Sequence, residues 1–446
     1  MRSAALNKLR GLLGARLAPG SLSTFAGGGT GAFAARVLYA ALTLLLYLLA
    51  VRVAGEVEYG RYVYVYSWAT ILSMVAAQGL DLAALRFVAS LTATEQWREL
   101  KGFARGAPAM VLAVSGLLSA LVAALTLAAG DRLSAGLATA IVAGCGLLPL
   151  MTLLQLFAFM VRGQKRSLSS LIPQSMLRPL LLIGLLGAVT FHRPGNVSAA
   201  HLVAWDALAT GVALLAAVGL FWRGYPAAGR NAQAQSDLSS WLRIGLPLAL
   251  QSTVRLSMNK ADIVMIGLLV GTTASGVYAL ASQISALVAF PLAAANTIAA
   301  PLFAELHVTG DKRELQRLVT FASRSVTGAA GAIALGAILV TPWILELFGG
   351  AFREAYLPVV ILTIGQLVNA ASGSVGYLLG MSGEERVAAR MTLGAGALNL
   401  LLNGAMIPFF GAVGAALATA ISGIVWNVLL VRRVRVALGI RSTVLG

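Results

Sequence analysis

The chain has 446 residues, of which 59% are hydrophobic and only 11% charged, and its mean hydropathy is +0.85. A soluble surface needs about a quarter of its residues charged, so composition excludes a soluble protein and indicates one that crosses a membrane repeatedly. One cysteine, Cys145, and three scattered histidines offer neither a disulfide framework nor metal-ligand spacing, and a charge of +17 with no soluble domain to carry it argues against nucleic acid as a partner.

The first thirty residues are basic and lack the apolar core of a signal peptide, so 1–30 is expected to be a cytoplasmic amphipathic lead-in. Windows of about 19 residues then predict twelve membrane helices. They lie at 31–53, 60–89, 106–129, 136–161, 168–190, 200–222, 241–270, 276–304, 322–345, 357–381, 388–409 and 413–431. The polar stretch RGYPAAGRNAQAQSDLSS (223–240) separates the first six (31–222) from the last six (241–431), and a basic tail follows at 432–446. With this threading, 22 Lys/Arg fall on the side of the termini and five on the other. The positive-inside rule therefore puts both termini in the cytoplasm. Much of the positive charge is then topology signal and attraction to anionic headgroups.

The two halves resemble each other. AGEVEYGRYVYVYS (54–67) aligns with VGTTASGVYALASQ (270–283), placing Gly60 on Gly276 and Tyr62 on Tyr278, and RELKGFA (98–104) aligns with RELQRLV (313–319). Because each half has an even number of helices, the repeat implies two six-helix lobes related by a pseudo-two-fold axis along the membrane normal, with a cleft between them. Tyr62 and Tyr278 are expected to anchor equivalent outward hairpins at the membrane interface.

GEVEYGRY (55–62), GLDLAALRFVA (79–89), ADIVMIG (261–267) followed by SGVYALASQI (275–284), APLFAEL and GDKREL (300–315), and GAVGAALATAISG (411–423) resemble the Wzx-like lipid-linked oligosaccharide flippases of polysaccharide biosynthesis. These belong to the multidrug/oligosaccharidyl-lipid/polysaccharide exporter superfamily. The resemblance implies an all-α, MATE-like twelve-helix fold in a bacterial inner membrane. It further implies alternating access that moves an undecaprenyl-diphosphate-linked oligosaccharide from the cytoplasmic to the periplasmic leaflet, for O-antigen, exopolysaccharide or a similar surface glycan. Membrane lipids and polysaccharide polymerase or assembly proteins are the implied partners. No cofactor is implied, although H+ or Na+ coupling is open.

Charge inside the membrane supports an anionic substrate. Six basic residues lie within or at the edges of the predicted helices (Arg36, Arg86, Arg178, Arg243, Arg255 and Lys260) against three acids (Asp81, Asp206 and Asp262). Each costs roughly 2.5–3.5 kcal/mol at bilayer depth. At about 100° per residue, Gln251, Arg255, Asn259 and Asp262 form one stripe, with Lys260 facing elsewhere. Arg255, Lys260, Arg36 and Arg86 are the candidate diphosphate contacts, and Gln251 and Asn259 the candidate glycan contacts. Arg86 also has Asp81 and the headgroups within reach, which gives it a structural alternative. Asp262 is expected to be a counter-ion to Arg255 or Lys260, with a protonatable coupling site as the alternative. Arg178, next to Pro179, is expected to hold helix carbonyls that proline frees. A cation-coupled drug exporter would invert the sign of the buried charge. A glycan polymerase would need a large polar outward loop, and the predicted outward loops are short.

Overall fold

In the computed structural model the backbone is described for residues 19–192, 197–309 and 312–444, and their side chains except at 19–36, 190–192, 247–259, 297–298, 300–301, 304–305, 307–309 and 381. The expected lead-in therefore lies largely outside the described residues. Among the described residues every regular element is helical. The helices are α1 (Pro19–Ala77), α2 (Leu80–Ala93), α3 (Trp97–Ala129), α4 (Ala135–Gly163), α5 (Ser167–Leu171), α6 (Arg178–His192) and α7 (Ala199–Arg223). There follow α8 (Leu238–Leu269), α9 (Thr272–Ala286), α10 (Phe290–Thr309), α11 (Lys312–Phe348), α12 (Tyr356–Ser372), α13 (Val375–Met381) and α14 (Glu385–Leu438).

Nine described helical stretches are long and apolar enough to cross a membrane. The charged α8 is not among them. Helix α1 has 59 residues and α14 has 54. At 1.5 Å per residue each would be about 80–90 Å long, against a hydrocarbon core of about 30 Å. Each is instead broken into two limbs by a glycine in a conformation a side chain disfavours, Gly55 (φ 82°, ψ 169°) and Gly411 (φ 54°, ψ −131°). The breaks fall between the first and second, and the eleventh and twelfth, predicted windows.

The apolar core is divided unequally between the two ends of the bundle. Around Gly55, Gly271 and Gly411, a single cluster draws on both halves, from Leu46, Tyr59 and Val203 to Ile266, Tyr278, Phe352 and Ile407. At the opposite end, where the loops are basic, the clusters separate. One is built on Leu80, Phe103, Met160 and Phe221, and another on Phe303, Leu315, Leu379 and Val434. The second half's first helix, α8, joins the first of these clusters at its start, where Trp241 meets Phe103 edge-on at 5.4 Å.

The joined end is closed by backbone approach. A Cβ on Gly276 would sit 3.1 Å from the Cα of Gly60, and one on Gly60 would sit 2.8 Å from the Cα of Thr273. Two charges of the first hairpin reach across the same junction. Arg52 donates to the carbonyl of Leu347 at the end of α11 (3.1 Å), and Glu56 accepts from the amide of Ala351 (3.2 Å) at the start of the next helical turn. A cation thus meets a helix C-terminus and an anion a helix N-terminus, the favourable pairing for each dipole.

Matched positions in the two halves also make matched contacts. Lys101 donates to the carbonyls of Arg230 (2.6 Å) and Ala232 (2.8 Å), strapping the 224–237 segment onto α3. Gln316, aligned with Lys101, exchanges two hydrogen bonds with the backbone of Arg441 (both 2.8 Å), strapping the segment after α14 onto α11.

Gly60→Val should lower the thermal stability of the detergent-purified protein, because the clashing atoms are backbone and cannot step aside; overpacking of this kind costs roughly 1–3 kcal/mol. Gly184→Ala, at a site with nothing within 4 Å of an added Cβ, should leave the melting temperature unchanged.

Candidate functional site

Two limbs of α1 face each other through polar stripes at a spacing of four: Tyr39, Thr43 and Tyr47 on one, Tyr62, Tyr66 and Thr70 on the other. Arg178 enters between them. It follows a π-helical turn, Ile172–Leu177, a wide-turn irregularity of the kind that recurs at functional sites. Its guanidinium grips Asp206 in a two-pronged ion pair, Nε to Oδ1 at 2.8 Å and Nη2 to Oδ2 at 2.7 Å, while Nη1 donates to the Tyr66 hydroxyl at 3.0 Å. Asp206 is fully buried and accepts a third bond from the Tyr62 hydroxyl at 3.0 Å. The guanidinium also lies over the Tyr66 ring, whose centroid is 4.9 Å away.

From the second half, Lys260 brings its ammonium within 5.8 Å of the centroid of the same ring. Arg178, Lys260, Gln283 and the two tyrosine–threonine stripes enclose a cavity of about 230 Å³. Among the described residues no acid lines it and no carboxylate pairs with Lys260. Cationic and hydroxyl donors in an amphiphilic cavity have the chemistry to bind an anion.

Asp262 lies two residues from Lys260, about 200° around α8, and faces the other way. Its carboxylate accepts from the hydroxyls of Tyr278 (2.8 Å) and Thr419 (2.6 Å) and from the amide of Asn403 (3.0 Å). Asn399 donates to Thr419 and Ser422 at 3.2 and 3.1 Å, and its side-chain oxygen accepts from Asn403. The Asn403 side-chain oxygen is buried with no hydrogen-bond partner, an energetic cost that calls for an explanation. Asp262, Asn403 and Thr419 are hard oxygen donors of the type that holds a small hard cation or a proton.

These placements revise several expectations. Arg178 does not hold helix carbonyls: Asp206 captures its guanidinium, a link between residues 28 apart in sequence. Asp262 is not a counter-ion to Lys260, because α8 directs them to opposite halves. Tyr62 and Tyr278 are buried, at 4% and 2% exposure, and each clamps a carboxylate instead of anchoring a hairpin at the interface. Arg86 is exposed on α2, and Asp81 is bonded by Gln155 at 2.7 Å. The side chains of Arg36, Gln251, Arg255 and Asn259 lie outside the described residues, so only their positions on α1 and α8 are fixed. The tyrosine–threonine stripes were not singled out from sequence, although their spacing of four was there to be read.

Removing one partner of the buried pair strands the other. Arg178→Ala should therefore destabilise by about 3–5 kcal/mol, read as loss of folded protein in size-exclusion chromatography, whereas Arg178→Met with Asp206→Leu should restore most of the folded yield without restoring the cavity's charge.

Comparison with known proteins places this geometry. Over 203 residues the chain is 30% identical to a protein described as a probable flippase, AglR, of Haloferax volcanii, and over 173 residues it is 30% identical to a probable low-salt glycan biosynthesis flippase, Agl15, of the same organism. The matched segments span 45% and 38% of this chain but only 42% and 36% of those relatives. The fold is that of the lipid II flippase MurJ in an inward closed conformation (TM-score 0.71, 13% identity, 90% of this chain and 87% of that one). It is equally that of an inward-facing multidrug resistance MATE transporter of the MOP superfamily (TM-score 0.69, 13% identity, 90% and 94%). Residues 29–307, well over half of the chain, match the family described as polysaccharide biosynthesis protein, and the chain belongs to that family.

Proposed function

We propose that this multi-pass membrane protein is a flippase for an anionic lipid-linked oligosaccharide, moving it from the cytoplasmic to the periplasmic leaflet for surface polysaccharide assembly. The observation that carries the reading is the cavity between the halves, which offers Lys260 and Arg178 and no carboxylate lining. Its volume of about 230 Å³ falls below the roughly 300–1,000 Å³ of pockets that swallow a drug-sized ligand, which suits a diphosphate headgroup whose glycan stays in the aqueous cleft. Undecaprenyl diphosphate is the carrier we favour. The cationic lining disfavours the rival, a cation-coupled drug exporter, whose substrate needs acids there.

On this reading twelve helices form two six-helix lobes with both termini in the cytoplasm. The shared core around Gly60 and Gly276 is the closed periplasmic end, and the separate cores bound a cleft open to the cytoplasm. Arg255, on the same helix as Lys260, and Arg36 and Arg86 extend positive charge along the entry path, and Gln251 and Asn259 meet sugar hydroxyls. Asp262 with Asn403 and Thr419 takes the coupling cation, a proton or Na+, in the second lobe. Opposite charges are thus housed in opposite lobes and linked through α8, on which Lys260 and Asp262 lie back to back.

Lys260→Ala in proteoliposomes should lower translocation of a fluorescent isoprenyl-diphosphate-linked sugar at least tenfold at unchanged protein insertion, and Lys260→Arg should retain part of the rate because the charge survives. Wild-type rates in Lys260→Ala, or equal transport of a cationic dye, would reject the assignment.

A further inference from the structure

A second cavity, of about 240 Å³, lies wholly within the second half. It is bounded by α12 and both limbs of α14, and its lining among the described residues is uncharged, with polar groups that include Gln366, Asn369, Thr392, Asn399, Thr419 and Asn427. Two of these, Asn399 and Thr419, belong to the hydrogen-bonded cluster around Asp262. From that level the lining runs toward the end of α12 and the two ends of α14 that meet the basic loops, because Asn369 is three residues from the end of α12 and Thr392 seven from the start of α14. Asn427 is 2% exposed, and its side-chain oxygen has no partner. An amide oxygen left bare at membrane depth costs free energy unless water or a ligand meets it. At about 30 Å³ per molecule the cavity has room for roughly eight waters.

We propose that this cavity is a hydrated vestibule through which a monovalent cation passes between Asp262 and the basic-loop end of the bundle, by a path separate from the anion cavity. It rests on the reading of Asp262 as the coupling site. Uncharged amide and hydroxyl oxygens suit transit: they replace hydration without the carboxylate that would retain the ion. The two cavities lie on opposite sides of α8, one lined by Lys260 and the other adjoining Asp262, so cation and anion need not meet.

Gly423 provides a probe, since it lines the cavity and a Cβ there meets nothing within 4 Å. In full-length protein carrying Cys145→Ser, Gly423→Cys should react with a small cationic methanethiosulfonate applied from the side of the basic loops. Excess Na+, or low pH if the ion is a proton, should slow the reaction. Labelling should reduce Na+- or pH-driven transport at least tenfold while leaving isoprenyl diphosphate binding unchanged. Asp262→Asn is run in parallel. If Asp262→Asn abolishes cation dependence but labelled Gly423→Cys transports normally, or Gly423→Cys does not react, the vestibule is wrong and the coupling site stands. If Asp262→Asn keeps its cation dependence, the coupling reading and the vestibule fall together.

Discussion

The close approach of Gly60 and Gly276 is the constraint on which the remaining geometry depends. Where two helices approach with only glycine at the crossing, their backbones pack almost in contact, and the apolar residues flanking them merge into one core that belongs to both halves. Toward the basic-loop end the halves touch more narrowly: Trp241 enters the first half's core and a Cβ on Gly245 would sit 2.8 Å from the carbonyl oxygen of Gln78, while the cores built on Phe103 and on Phe303 stay separate. A bundle with one shared apolar core at one end and separate cores at the other has room for buried polar groups between them. The Arg52 and Glu56 contacts across the joined end are individually modest, because each is a hydrogen bond to backbone at a partly exposed position.

Between those cores the protein handles its charges in two ways. Asp206 is neutralised by Arg178 and held by Tyr62, so the first half presents a buried ion pair. Asp262 is held by Tyr278, and its partners among the described residues are neutral donors, Tyr278, Thr419 and Asn403. The two tyrosines stand at aligned positions of the internal repeat, and each holds a carboxylate from a different place in the sequence. The same local device serves opposite electrostatic ends.

Much of the fold was legible in the sequence because it is set by apolar length, and the breaks at Gly55 and Gly411 fall at predicted helix boundaries. Lys260 and Asp262 were identifiable because a charge in an apolar run is conspicuous wherever it points. Partners were not legible. Arg178 and Asp206 lie on different helices, and their pairing depends on how those helices pack and on a π-helical turn that shifts the register before Arg178. Helical angle alone separated Lys260 from the Arg255 stripe, yet it could not say that Asp262 turns into the second half toward Asn403 and Thr419, residues some 140–160 positions away. The tyrosine–threonine stripes were readable in principle; they were overlooked because hydroxyls are less conspicuous in an apolar run than charges.

On the proposed flippase reading, the halves pivot so that the joined end opens as the other end closes around a bound anion. Distances between spin labels test it most directly, with one pair at the joined end (Arg132→Cys and Glu354→Cys) and one at the basic-loop end (Thr94→Cys and Arg313→Cys), all exposed positions, in a Cys145→Ser background. Without ligand, the joined-end pair should show a single short distance. On adding an isoprenyl diphosphate and the coupling cation gradient, a longer population should appear there while the basic-loop pair shortens, and Lys260→Ala should suppress both changes. Distances that stay fixed at both ends, or that lengthen together, would contradict the pivoting account.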